Sequence, residues 1–431
     1  MEKADNQEIN RAAPDNCICW RPIVFLYLPM KRINRKFLFA IFILEVLAGS
    51  VIGLSQNNIS DTSRMIIHAD RIRLQGKIEL AGSEKDLLEI IKLGEHSVQA
   101  VNVSICLPQN LFSFRVDSIS FDQALGKISL TGVKMLPHYS KEEFHKHAEY
   151  ETDRIEADIK SIVATGFHAD KAINERTMVI SRIEIRGGEI DVFRDRKPPF
   201  NEDQRPAMPS RLINSAPFGI YVKEVRLTET DIIYSELAEG MDEPGTVPFY
   251  DLEAVISNLS NIADSLNTDS IMQINAQAFI FGQALLRAGF SYNLKDINGG
   301  YEVSGELAEL DFKAINPALY PLTGIKVADG LHIISQFYFS GNDTRSDGEL
   351  YMSWSDLSLD LTPDEADVIS DLTRFAGKSF LYHPSSPDDK ENSPSGEIEF
   401  EREVTRFVFH YWWNCYLSGI KNSVLRDIIP F

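Results

Sequence analysis

The sequence predicts a mainly β protein with a few helices: a long, curved antiparallel sheet that forms a groove, taco-like in section, preceded by one N-terminal transmembrane helix. Three observations lead to this prediction. Short runs in which apolar and polar residues alternate recur after residue 60, which is typical of strands with one buried face. Glycine and asparagine turns separate these runs. One continuous apolar segment, residues 37–54, precedes all of them.

The apolar segment has the features of a membrane anchor. It reads FLFAIFILEVLAGSVIGL, which reaches the lower limit for a helix that spans a bilayer. Four basic residues come directly before it: Lys31, Arg32, Arg35 and Lys36. By the positive-inside rule, residues 1–36 form a cytoplasmic basic tail and the rest is exported. A cleaved signal peptide is the alternative, and Met30 is an alternative start.

The charge distribution agrees with this orientation and excludes one class of partner. The 431-residue chain has a formal net charge of -20. Residues 1–36 hold seven Lys or Arg against four acidic residues, which gives +3 on one side of the apolar segment and -23 on the rest. Nucleic acid is therefore not an expected partner, because phosphate binding needs clustered cations.

The alternating runs predict hairpins. Ile119 and Phe121 match Ile128 and Leu130 across a Gly126 turn, and residues 288–294 match 301–303 across Asn298-Gly299-Gly300. A third hairpin is predicted from Ile183/Ile185 and Ile190/Val192, with Gly187-Gly188 as its turn. Together these runs predict a long antiparallel meander.

Three helical patterns interrupt the runs and define the domain organisation. Ser140 with Glu143 forms a capping box before apolar residues at helical spacing, which predicts a helix over about 141–165. A second capping box begins at Thr362, and a last helix is predicted over about 404–424. The resulting division is an N-terminal part (55–200), a C-terminal β part (217–361) and a helical C-terminal cap (362–431) with a disordered loop at 384–397.

The sequence has none of the common signatures of catalysis or metal binding. No G-x-S-x-G, H-E-x-x-H or phosphate-loop pattern occurs in the sequence, and its four cysteines have no paired spacing. His145 and His147 stand two apart on the predicted helix, so they cannot share one ion. We therefore expect a non-enzymatic protein with no catalytic residues, no metal and no cofactor.

The arrangement resembles the AsmA-like family of envelope proteins, of the repeating β-groove type and similar to its Bacteroidetes members. One block, residues 304–361, reads SGELAELDFKAINPALYPLTGIKVADGLHIISQFYFSGNDTRSDGELYMSWSDLSLDL. It is similar to that family's C-terminal module, with an "NP…P" crossover and a strand that ends in "F.GND". A second block lies within residues 117–260 and contains IRGGEIDVFRDRKPPF and YSELAEGMDEPGTVPFYDLEAVISNLSN.

The resemblance implies a single-pass inner-membrane protein with the bulk of the chain in the periplasm. It implies a trough with an apolar lining, a membrane phospholipid or glycolipid as partner, and a part in lipid transport, lipid homeostasis or outer-membrane biogenesis, together with other envelope proteins. The open alternative is a structural scaffold with a closed core and no lipid.

Two sets of candidate site residues follow. The apolar members of the strand runs are candidates for the groove lining: Ile183, Ile185, Ile190, Val192, Phe290, Tyr292, Val303, Phe337, Phe339, Leu350, Met352 and Trp354. The aromatic-rich last helix supplies candidates that either cap the sheet or sit at a membrane interface: Phe407, Tyr411, Trp412 and Trp413.

Overall fold

The structure is a computed structural model, which describes residues 66–75, 97–106, 111–324, 326–360 and 395–426. Several predictions lie outside these residues: the basic tail 1–36, the membrane segment 37–54, the capping box at Thr362 and residues 384–394 of the loop. Residues 395–397 of that predicted disordered loop are the start of a strand instead.

Fifteen strands within the described ranges form one sheet. They are β1 (Ile66–Gln75), β2 (Ser97–Cys106), β3 (Phe112–Asp122), β4 (Lys127–Pro137), β5 (Arg154–Thr165), β6 (Thr177–Asp195), β7 (Gly219–Leu237), β8 (Gly245–Ser260), β9 (Ile271–Ile280), β10 (Ala284–Asn293), β11 (Tyr301–Leu307), β12 (Leu310–Asp311), β13 (Lys326–Gly341), β14 (Arg345–Asp360) and β15 (Ser395–Glu401). Strands follow one another in space as in sequence, and short β12 pairs with β13 beside this path. The predicted mainly β fold with a long, curved, open sheet and few helices is confirmed.

The helices are short except for the last. They are α1 (Lys141–Phe144), α2 (Ala169–Asn174), α3 (Pro209–Asn214), α4 (Ala263–Thr268), α5 (Asn316–Thr323) and α6 (Val408–Arg426), with a 3-10 helix at Phe312–Ile315. The helix predicted over 404–424 is confirmed as α6. The "NP…P" segment forms α5, and the Asn316 side chain bonds both backbone groups of Val327, which fixes the start of β13.

One strand pair departs from the predicted antiparallel meander. Strands β6 and β7 are parallel over their whole length, from Thr177 opposite Gly219 to Asp195 opposite Leu237. The crossover segment, residues 196–218, returns the chain to the end of the sheet at which β6 begins. Its length suffices, because a 19-residue strand rises about 63 Å and 23 extended residues reach about 75 Å.

A row of bulges crosses the sheet from β2 to β8. Residues with positive φ recur at matched positions on alternate or neighbouring strands: Asn102, Gly132, Gly187, Glu229 and Asp251. These positions are bulges in a broad sense. From β2 to β7 one residue on each of the two paired strands drops out of the pairing, so the register continues but side-chain alternation shifts by one residue, whereas between β7 and β8 the register itself shifts. Gly187 has φ +68°, a conformation that strains other residues, and a Cβ there would also overlap the Lys160 side chain on β5, so glycine is favoured at this position.

The bulges overturn two predictions. The predicted helix over 141–165 exists only as α1, and 154–165 is strand β5. Lys160 is skipped in the pairing on both sides, so the apolar residues of β5 are spaced four and three apart, which imitates a helix. The hairpin predicted at Gly187-Gly188 is also wrong: β6 runs straight through, with a bulge in place of a turn.

The other two hairpins are confirmed. Ile119 pairs with Leu130 and Phe121 with Ile128, while Tyr292 pairs with Tyr301 across the Asn298-Gly299-Gly300 turn. In both, regular alternation continues to the turn without a bulge, so the pattern and the register agree.

Candidate functional site

The apolar face of the sheet carries two packed clusters. The first spans β2 to β7, and its fully buried members include Leu130, Ile162 and Ile180. The second spans β9 to β15 and is covered by α6. Along most of its length, then, this face is a packed core.

The predicted groove residues divide between these clusters. Ile183 and Ile185 are buried in the first cluster, with Ile190 and Val192 half-buried against it. Most of the others are buried in the second: Tyr292, Val303, Phe339, Leu350, Met352 and Trp354. Phe290 and Phe337 are half-buried and pack against that second cluster.

Helix α6 covers the second cluster with one aromatic face. Tyr411 and Cys415 are fully buried. The Tyr411 hydroxyl accepts from Ser346 Oγ at 2.8 Å, and burial raises the pKa of the Cys415 thiol to about 11, which keeps it protonated. Trp412 lies with its ring centroid 4.6 Å from that of Phe290. Phe407 is half-buried just before the helix.

The opposite side of α6 is apolar but exposed. Phe409 and Trp413 have exposed fractions of 65% and 56%, and Leu417 continues the same stripe. Phe409 contacts the Trp412 ring and Trp413 stacks near Tyr416, so the exposed stripe adjoins the rings that pack on the sheet. Of the predicted cap residues, Tyr411 is therefore buried in the core, Trp412 packs at the border of the second cluster, and Trp413 is exposed.

Between the two clusters lies a strip that is only half-buried, which we call the central strip. It comprises seven apolar residues of β7 to β10: Leu227, Ala254, Ile256, Ile274, Ala276, Ala288 and Phe290. Leu227, Ala254, Ala276 and Ala288 stand opposite one another in register on four successive strands. Alanine at three of these four positions leaves a shallow floor between the larger side chains around it.

Two buried polar atoms lie at the α6 end of the strip. Among the described residues, neither the Tyr292 hydroxyl nor the Trp412 indole N–H has a hydrogen-bond partner. The two rings lie 6.5 Å apart, and burial raises the pKa of Tyr292 well above its ordinary value. Unpaired buried donors are costly, so this pair marks a place where an acceptor would be favourable.

The crossover segment bridges the two parts of the apolar face. Met208 is fully buried in the second cluster, and the Asn214 side chain donates to the Leu294 carbonyl at 2.8 Å. Arg211 bonds Asp343 at the β13–β14 turn, and Gln204 donates to the Thr405 carbonyl just before α6. The segment that makes β6 and β7 parallel thus also holds α6 in place.

A half-buried ionic network lies near the start of α6. Arg194 forms a bidentate pair with Asp153, with both N···O distances 2.7 Å. Burial lowers the Arg194 pKa, but the charge and hydrogen bonds of Asp153, with smaller contributions from Tyr234 and Glu236, together outweigh burial, so the pKa is raised. Arg406 bonds Glu151 at 3.2 Å and lies over the Phe200 ring, so this network fastens the start of α6.

The sequence did not reveal the part of the site that is formed by small side chains. Ala254, Ala276 and Ala288 fit the alternating pattern, yet they were not distinguished from neighbouring large residues. Their size was visible in the sequence, but their alignment depends on strand register. Met208 gave no periodic signal, because it lies in the irregular crossover segment.

Within the described ranges, no group of His, Cys, Asp and Glu side chains is arranged to hold a metal ion. No helix of those ranges is both long and apolar enough to cross a bilayer. The fold and the strip define an open, curved β-sheet protein whose apolar face is covered at both ends and half-covered in the middle. No protein-family model and no curated protein matches the chain.

Proposed function

We propose that this protein binds lipid non-enzymatically, with an acyl chain lying along the central strip, and acts as a membrane-anchored carrier in the cell envelope. The observation that carries the proposal is the central strip itself, a half-buried row of small apolar side chains between two packed clusters. Soluble proteins rarely leave contiguous apolar surface uncovered without a binding role.

The dimensions of the strip suit an acyl chain. Four strands at about 4.8 Å spacing give a floor about 14 Å long, running across the strands. Each methylene group removed from water there is worth about 0.8 kcal/mol. Ala254, Ala276 and Ala288 provide depth, while Ile256, Ile274 and Phe290 stand beside them as one wall.

The unpaired donors favour a lipid over a plain hydrocarbon. The Tyr292 hydroxyl and the Trp412 indole N–H are both donors, and a lipid ester supplies carbonyl oxygens as acceptors. An ester at the α6 end of the strip would satisfy a donor that is buried without a partner. The acyl chain would then extend from α6 toward β7.

The envelope location rests on the sequence alone. A membrane segment at residues 37–54 with a cytoplasmic basic tail would hold the sheet beside a bilayer, which is where a lipid carrier must load. Inner-membrane anchoring, a periplasmic position and a role in outer-membrane assembly belong to this proposal.

A scaffold without lipid is the second candidate, and a specific observation favours it. Helix α6 and the crossover segment already cover much of the apolar face, so most of that face is packed by the protein's own side chains. The two candidates differ at the central strip. A lipid carrier needs that strip free, while a scaffold does not depend on it.

Native mass spectrometry of the full-length chain, released from mild detergent with its co-purified lipid, separates the two. The variant Ala288→Leu fills the floor of the strip, and Ser291→Leu adds the same side chain to the polar face of the same strand. We expect lipid adducts on the wild type and on Ser291→Leu, and about tenfold less on Ala288→Leu. A reproducibly empty wild type, or equal lipid on all three folded proteins, contradicts the proposal.

A further inference from the structure

The polar face of the sheet carries a cavity that the lipid proposal does not use. It has a volume of about 630 Å³ and crosses β7 to β11 and β13. Six strands at about 4.8 Å spacing make it about 24 Å long. A molecule that filled such a cavity would be extended and would lie across the strands.

The lining shows which face the cavity occupies. Successive residues of a strand point to opposite faces. On most of the strands the cavity is lined by three consecutive residues, so strip residues such as Ala276 and Ala288 lie between flanking residues such as Asn275, Gln277 and Gly289. The other large residues of the strip, Ile256, Ile274 and Phe290, do not line it. The cavity therefore lies between two rows of flanking side chains, and the main chain of the strip residues forms its floor.

Gly289 forms a notch in this cavity. A Cβ built on Gly289 would lie 3.4 Å from Asn275 Oδ1 and 3.5 Å from Ser304 Oγ. Both contacts are ordinary van der Waals distances, so a side chain fits without strain but fills the space between two polar groups. A ligand hydroxyl in the notch would meet an amide and a hydroxyl together.

The charged residues of the lining balance one another, and amide side chains donate hydrogen bonds to the carboxylates. Arg226 and Arg287 offset Glu253 and Glu306. Gln277 donates to Glu253 at 3.0 Å, and a second amide, Gln336, donates to Glu306 at 2.9 Å. A chain of net charge -20 thus has a cavity with no net charge, which disfavours both cations and polyanions as ligands.

Two exposed tyrosines, Tyr338 on β13 and Tyr351 on β14, stand next to lining residues of the cavity. Tyr338 pairs in register with Ser304, and Tyr351 pairs with Gln336. Their exposed fractions are 47% and 41%. Flat rings with a polar tip beside amides and carboxylates suit a ligand that is apolar on its ring faces and rich in hydroxyls at its edges.

We infer that this cavity is a binding site for an uncharged glycan chain, with Gly289 and Asn275 at the floor and Tyr338 as a stacking platform. Sugar rings present C–H faces to an aromatic ring and hydroxyls to planar amide and carboxylate groups. A peptide strand is a poorer fit, because the cavity lies across the middle of the sheet and away from its edges.

Calorimetric titration of the full-length chain tests the inference, with chitopentaose and cellopentaose as neutral probes and a short polyphosphate as the anionic probe. We expect one neutral probe to bind, Gly289→Val to weaken binding about tenfold, and Ser291→Val to leave it unchanged. Asn275→Ala, at an exposed position, should also weaken binding, and it serves as the second variant if Gly289→Val fails to fold.

Three results would overturn the inference. They are no binding of either neutral oligosaccharide at millimolar concentration, binding of the polyphosphate alone, and neutral-probe affinity that is the same in Gly289→Val, Asn275→Ala and the wild type. Lipid content is a separate readout on the other face, so neither outcome decides the lipid proposal.

Discussion

Ala288 and Gly289 are neighbours on β10 and belong to opposite faces of the sheet. Ala288 stands opposite Ala276 and Gly305 on the apolar face, whereas the missing side chain of Gly289 leaves space beside Asn275 and Ser304 on the polar face. Two proposed sites thus share one strand and are separated by its thickness.

This relationship predicts a double dissociation. Ala288→Leu should remove bound lipid and leave oligosaccharide affinity unchanged, because its side chain points into the central strip alone. Gly289→Val should do the reverse. Lipid content by mass spectrometry and oligosaccharide titration on the same two preparations check this, and a variant that abolishes both functions while folded would contradict separate sites.

Tyr292→Phe should have opposite effects on stability and binding. The lipid-free protein should gain about 1 kcal/mol in free energy of unfolding, because a buried hydroxyl without a partner is removed. Lipid affinity should fall, because the ester loses a donor. Chemical denaturation of delipidated protein and lipid titration measure the two effects. A loss of stability would show that the hydroxyl already has a partner.

Because His332 is buried in its neutral form, the free energy of unfolding should decrease as the pH is lowered. This side chain is buried, with Nδ1 3.1 Å from the Ala308 carbonyl, and burial lowers its pKa from 6.5 to about 4. The unfolded chain therefore binds more protons between those values, so stability decreases as pH falls from 6.5 toward 4. Between pH 7 and pH 5 this amounts to about 2 kcal/mol.

The matching variant is His332→Leu, which is similar in size and cannot be protonated. Its midpoint of thermal unfolding should change less between pH 7 and pH 5 than that of the wild type. Equal pH dependence in the two proteins would assign the effect to other groups.

The half-buried, bidentate pair of Arg194 and Asp153 should contribute more to stability than an exposed pair. Asp153→Ala leaves a half-buried guanidinium without its bidentate partner and should cost about 2 kcal/mol in free energy of unfolding. Lys313→Ala breaks the exposed pair with Asp329 and should leave stability unchanged. Urea titration of both variants compares them, and equal costs would contradict the assignment.

Gly187 and Gly289 should respond oppositely to alanine. Gly187→Ala places a side chain at φ +68° and against Lys160, so it should destabilise by about 2 kcal/mol. Gly289→Ala fits an ordinary strand conformation and should stabilise by about 0.5 kcal/mol. The midpoints of thermal unfolding test this, and a neutral Gly187→Ala would mean that β6 does not need the bulge.

The sequence predicted strands and hairpins well where alternation is regular. The Tyr292–Tyr301 hairpin and α6 were found because their patterns continue without interruption for most of their length. Prediction failed where a bulge shifts alternation: β5 was mistaken for a helix across Lys160, and β6 was divided at Gly187. A bulge is a feature of the pairing between two strands. The sequence of one strand therefore shows the shifted alternation but not the pairing that produces it.

The sequence predicted which apolar residues belong to this face of the sheet, but not which of them remain exposed. Residues such as Phe339 and Leu350 were expected to line a groove, and their alternation is real, but α6 buries them. Which part of an apolar face stays uncovered depends on where a distant helix and the crossover segment pack. That information is spread over contacts such as Gln204 with Thr405, two hundred residues apart.

The most direct test of the central claim is photo-crosslinking of the full-length chain with a phospholipid that carries a diazirine on its acyl chain, followed by peptide mapping. We predict adducts on residues 271–293 and on α6 around Trp412, with loss of the β9–β10 adducts in Ala288→Leu. Adducts confined to the polar face or to the exposed Trp413 side of α6, or no specific adducts at all, would contradict lipid binding on the central strip.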